Sequence, residues 1–141
     1  MSYDLIVFKS LDDLTEYISQ RIEWLKERIS ELEGRRTVLR ARAEKVRRLE
    51  EVLGKLVGGE VKSMNEVDLM GIKIIISARA VDELGVVEDT LEAMHDTLTA
   101  LTRVREVMTQ LAEEWGEASG LTLLVQTLNG IPVKILFKEE E

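Results

Sequence analysis

Residues 18–57 read ISQRIEWLKERISELEGRRTVLRARAEKVRRLEEVLGKLV, and their spacing decides the fold. Steps of four and three residues from Ile18 visit Ile22, Leu25, Ile29, Leu32, Arg36, Leu39, Ala43, Val46, Glu50, Leu53 and Val57. Only Arg36 and Glu50 break this apolar series. A 3.5-residue period held for so long predicts a helix with one continuous apolar seam, of the kind that packs in coiled coils. Ser10 or Asp12 can cap its start, and Asp12, Asp13 and Glu16 suit the positive end of the helix dipole. Gly34 lies opposite the seam, and Gly54, Gly58 and Gly59 end the helix. The expected span is about 11–57.

A second seam follows through Leu84, Val87, Leu91, Met94, Leu98, Leu101, Arg105, Met108, Ala112 and Trp115, predicting a helix over about 79–117. Ser77 is its candidate cap, Gly85 a candidate kink, and Gly116 and Gly120 its stop. Val104 and Leu111 widen this stripe beyond a two-stranded seam, which implies contact with more than one other helix. Around the helices lie short β signals. Residues 3–8 form an apolar run, and 72–77 contain β-branched Ile72-Lys73-Ile74-Ile75-Ile76, with Met70-Gly71 as a turn and 61–69 as a partner strand. The segments 121–128 and 131–137 flank Asn129-Gly130, a favoured two-residue hairpin turn. In an unbroken ladder Leu128 faces Ile131, Leu124 faces Ile135, and Ile131, Val133, Ile135 and Phe137 share one face. Leu121, Leu123, Val125 and Leu136 then occupy the other. Pro132 marks its strand as an edge.

The expected fold is α+β, mainly α: two long antiparallel coiled-coil-type helices joined by about 20 residues. The N-terminal strand and the C-terminal hairpin meet in a three-stranded sheet at one end. One elongated domain over 1–141 is the expected organisation.

The order helix, short β segment, helix over roughly residues 11–117 resembles prefoldin, whose subunits are coiled-coil hairpins assembled through β elements. The resemblance implies a holdase chaperone and assigns no individual residues. This chain differs from it by a strand before the first helix and a hairpin after the second.

Composition narrows function by exclusion. The 141 residues carry a net charge of −8, 33% charged residues and 4% aromatics. There is no cysteine, hence no thiol chemistry and no disulfide framework. One proline and two asparagines, Asn65 and Asn129, lean toward a thermophilic composition. No apolar run reaches membrane-spanning length, and Met1-Ser2-Tyr3-Asp4 has no signal-peptide character, so a cytoplasmic location is expected. The single histidine, His95, lies beside Asp96 on a helix face without a partner set for catalysis. Glu113, Glu114 and Glu117 read as a solvated face. Phosphate-loop and nucleophile-elbow patterns are absent, so an enzyme, a bound metal and a cofactor are not expected.

Against the acidic background, residues 35–48 carry a net +6 from Arg35, Arg36, Arg40, Arg42, Lys45, Arg47 and Arg48 against Glu44. This window is the candidate site for an anion or a partner. In a symmetric hairpin Arg35, Arg40, Arg42 and Arg47 flank the seam opposite Thr90, His95, Thr97 and Thr102, none of them acidic. That leaves the window to a second chain's acids or to a nucleic acid. Arg36, Glu50 and Arg105 interrupt the seams and are candidates for fixing register or oligomeric state, with Arg36 and Arg105 near one another. The expected function is therefore a non-enzymatic interaction or scaffold protein, a homodimer packing four helices. A prefoldin-like chaperone and a nucleic-acid-associated protein acting through 35–48 are the alternatives.

Overall fold

The computed structural model describes residues 2–58, 66–75, 79–115 and 121–139. In chain order they form β1 (Tyr3–Phe8), α1 (Leu11–Val57), β2 (Glu66–Leu69), β3 (Ile72–Ile75), α2 (Arg79–Trp115), β4 (Leu121–Leu128) and β5 (Ile131–Glu139). The fold is α+β and mainly α, as the periodicity predicts. Two compact units are defined, one of residues 1–29 and 93–141, the other of residues 30–92. The division falls inside both long helices.

The first unit holds a three-stranded antiparallel sheet in the order β1-β4-β5. Ser10 caps α1: its Oγ accepts the Asp13 N–H at 3.1 Å, and Asp12 and Asp13 stand in the first turn. The seam residues Leu14, Ile18 and Ile22 are fully buried and join Leu11, Leu25, Leu101, Met108, Leu123 and Val125 in one core. Each such side chain contributes about 1.5–3 kcal/mol by leaving water. Val104 and Leu111, which widen the α2 stripe, pack against this same core together with Met94, Leu98 and Ala112. The second contact for the wide stripe is therefore the chain's own sheet, and that stripe does not call for another helix. Aromatic contacts close the periphery, with Phe8 and Tyr17 at 5.3 Å between ring centroids and Trp115 and Phe137 at 5.1 Å.

The hairpin departs from an unbroken ladder. Asn129 (φ 52°) and Gly130 (φ 83°) form the turn, and Leu128 faces Ile131 as expected. The register then shifts, so that Thr127 pairs with Pro132 but Gln126 pairs with Lys134. Val133 is the extra residue of a bulge. Proline has no N–H for the ladder, and a bulge beside it accommodates that loss. As a result Leu124 faces Leu136 rather than Ile135. Leu123 and Val125 thus turn inward with Ile135 and Phe137, while Val133 is 52% exposed and leaves the face assigned to it by sequence. Pro132 does mark an edge, since β5 is outermost in the sheet.

The opposite edge is β1. The Asn129 N–H donates to the Ser2 carbonyl at 2.8 Å, and the Ser2 N–H donates to Asn129 Oδ1 at 3.0 Å. Backbone groups alternate along a strand, so the Leu5 N–H points away from β4. The Asp4 carboxylate accepts it at 2.9 Å.

In the second unit α1 continues through Gly34 and Gly54, and Gly58 (φ 74°) follows its last residue in the left-handed conformation that ends many helices. Gly54 does not stop the helix. Leu32, Leu39, Leu53, Val87 and Leu91 are buried. The β2-β3 hairpin turns at Met70 (φ 50°) and Gly71 (φ 85°), with Leu69 opposite Ile72. Strand β3 ends at Ile75. Residues 61–65 of the expected partner strand, residues 76–78 with the candidate cap Ser77, and residues 116–120 at the expected end of α2 lie outside the described residues. Gly85 lies within an uninterrupted α2.

Candidate functional site

The basic window lies on α1 within the second unit, and Glu83 and Glu88 of α2 supply acids that sequence reasoning did not place beside it. Arg35 Nη2 lies 3.1 Å from Glu83 Oε2, and Arg40 Nε lies 3.6 Å from Glu88 Oε1. Arg47 grips Glu44 with two hydrogen bonds of 2.6 and 3.1 Å and reaches Glu51 at 2.7 Å. Arg48 lies 3.5 Å from Glu44. The expectation that α2 offers these arginines only threonines and His95 is thus corrected. A symmetric hairpin centres the connection, but here the acids come from residues about two heptads nearer the start of α2. Among the described residues Arg36, Arg42 and Lys45 make no ion pair.

These pairs are exposed, so water and salt screen them and their contribution to stability is small. Their electrostatic imprint is clearest at Glu44. The hydrogen bonds from Arg47 hold its carboxyl below the usual glutamate range against a smaller opposing desolvation, and the positive charges of Arg47 and Arg48 add to the lowering. Arg47 is raised above its ordinary value, first through the same hydrogen bonds and then through the charges of Glu44 and Glu51.

Beside these pairs runs an open groove of about 530 Å³, with Ala43, Val46, Val81 and Leu84 along it and Arg40 and Arg47 among its charged lining. Glu50 also lines it. The seam interruptions Arg36, Glu50 and Arg105 are each half-buried, so their polar ends can reach water along their methylene stems. Arg36 belongs to the second unit and Arg105 to the first.

Two apolar surfaces complete the inventory. In the second unit Leu49, Val52 and Leu56 are 45–62% exposed at a spacing that places them on one side of α1, and Met70 and Ile72 of the β hairpin are 98% and 66% exposed. In the first unit the sheet's outer face exposes Tyr3, Leu5, Val7 and Leu136. This face was assigned the wrong β4 residues by sequence, because the bulge was not foreseen. The only available signal was Pro132, two residues after the turn.

Among the described residues no three His, Cys, Asp or Glu side chains gather as a metal site, and no buried side-chain polar atom lacks a hydrogen-bond partner. His95 is exposed. No described helix is long and apolar enough to cross a membrane. Compared with known proteins, the chain matches no family model, no curated protein and no solved structure.

Proposed function

We propose that this protein is a non-enzymatic interaction or scaffold protein that works as a homodimer. The observation that supports this reading is the amount of large apolar side chain left in water. Tyr3, Leu5, Val7, Leu136, Leu49, Val52, Leu56, Met70 and Ile72 are all more than 40% exposed, and they fall on surfaces rather than singly. Scattered exposed apolar residues need no explanation, whereas contiguous patches mark binding surfaces. The two sequence arguments for a dimer no longer contribute, because the wide α2 stripe and four of the seven basic residues are satisfied within the chain. Sedimentation equilibrium at micromolar concentration tests the reading. A dimer is expected, and a monomer throughout that range removes the homodimer.

The Leu49-Val52-Leu56 stripe and the bare Met70 favour a second reading, a holdase gripping unfolded clients. Suppression of aggregation of a denatured test protein, lost in Val52→Lys, supports it, and no suppression at equimolar chain removes it. Nucleic-acid binding through residues 35–48 is not advanced. Ion pairing with Glu44, Glu51, Glu83 and Glu88 offsets four of the seven basic residues, and the remaining Arg36, Arg42 and Lys45 stand against a net charge of −8 on the chain.

A further inference from the structure

We infer that the outer face of the β1-β4-β5 sheet is the self-association surface, packed face to face against the same sheet of a second copy. The inference deepens the homodimer reading and rests on it. The sheet has one covered and one open side. Leu123, Val125 and Thr127 of β4 turn inward and are 0–2% exposed. The alternate residues turn outward. On that side Val7, Leu124 and Leu136 stand in one cross-strand row, and Leu5 and Tyr3 head the next two rows at Gln126 and Leu128. Tyr3, Leu5 and Val7 are 61%, 62% and 60% exposed, and Leu136 is 54% exposed. An antiparallel sheet with a free face normally alternates apolar inward with polar outward. Strand β1 does not: all three of its outward side chains are large and apolar.

Area selects the occupant. These four side chains leave roughly 500 Å² uncovered on each copy, so two copies would bury about 1,000 Å² from them alone. Half-buried Leu124 and Leu128 and the surrounding polar residues extend this to the lower bound of about 1,200 Å² for specific interfaces. A two-fold pair of identical faces doubles the patch without needing any other complementary surface. Lys134 and Lys138, opposite Gln126 and Thr122, lie toward the β5 side of the same face and give the patch a charged border. An apolar centre with a polar rim is the usual anatomy of such contacts. Strands in two packed sheets stand about 10 Å apart, a gap that leucine and tyrosine side chains from both sides can fill.

The test compares the full wild-type chain with two double variants by sedimentation velocity, with far-UV circular dichroism as the folding control. Leu5→Lys with Val7→Lys is expected to raise the dimer dissociation constant about a hundredfold or more, since each dimer loses both residues twice. Val52→Lys with Leu56→Lys, on α1, is expected to leave it unchanged. Dimerisation that survives the sheet variant, or is lost in the α1 variant, overturns the assignment of the face while leaving the homodimer standing. A monomeric wild type removes both. Because the chain has no cysteine, a second measurement is independent of lysine's effect on folding. A bis-maleimide reagent long enough to span the gap of about 10 Å between packed sheets should join Val7→Cys into a covalent dimer and should not join Leu56→Cys; the reverse result overturns the inference.

Discussion

Leu101→Ala tests where the core of the first unit lies. Leu101 is fully buried, in the cluster with Ile18, Ile22 and Leu123. The substitution removes three carbons, about 2.4 kcal/mol at about 0.8 kcal/mol per buried methylene. It also vacates roughly 70 Å³, which at about 24 cal/mol per Å³ adds about 1.7 kcal/mol if the neighbours do not collapse. The expected loss is about 4 kcal/mol, or about 2.5 kcal/mol if they relax. Leu49→Ala, the same chemistry at a side chain that is 45% exposed, should cost about 0.5 kcal/mol or less. Urea unfolding read by circular dichroism and tryptophan fluorescence measures both, at one fixed protein concentration so that self-association does not shift the comparison. Equal losses at the two positions, or a Leu101→Ala loss under about 1 kcal/mol, would refute the assignment of the core.

Three further outcomes follow from named contacts. Gly130→Ala should destabilise by about 1–2 kcal/mol in urea unfolding, because φ is +83° and the new Cβ would stand 3.0 Å from Arg21 Nη2. Glu44, whose carboxyl is held low by Arg47, should titrate below an ordinary glutamate in a carboxyl-carbon NMR titration, and Arg47→Gln should move its midpoint upward. A lowered folded-state pKa stabilises above the ordinary glutamate value and ceases to do so as pH falls through the lowered one, so this contribution disappears only in acid. Glu83→Lys with Glu88→Lys should lower the melting temperature slightly, and Arg35→Glu with Arg40→Glu should restore it; no restoration would contradict the observed register.

The helices were legible because a helix face is written in local spacing. Ile18 to Leu53 repeat every 3.5 residues whatever lies beyond them. The membership of the three-stranded sheet was legible too, since Asn129-Gly130 fixes one hairpin and residues 3–8 were expected to join it at the same end; the order β1-β4-β5 was not written in the sequence. Two features were not. Which acids face Arg35 and Arg40 depends on how far α1 slides along α2, and a slide of whole heptads leaves the apolar seams matched. Seam residues therefore cannot choose between Thr97 and Glu83 as a neighbour, and only the charges distinguish them. The face of Val133 depends on one extra residue in a ladder, and a period-2 pattern reverses after any single insertion. The candidate site suffered from the first of these errors, because an unneutralised basic window is a conclusion about register before it is one about binding.

The carboxylate of Asp4 on the Leu5 N–H has a bearing on strand addition at the β1 edge. Strand β5 carries the customary deterrents at its edge, with Pro132, a bulge and two lysines, whereas β1 has neither proline nor bulge. An incoming strand that tried to extend the sheet past β1 would find its central outward donor already taken by a side chain one residue away. It would have to dislodge a charged acceptor before gaining a neutral one. Asp4 thus raises the cost of adding a strand at this edge, where the chain carries Leu5, Ile6, Val7 and Phe8 in succession.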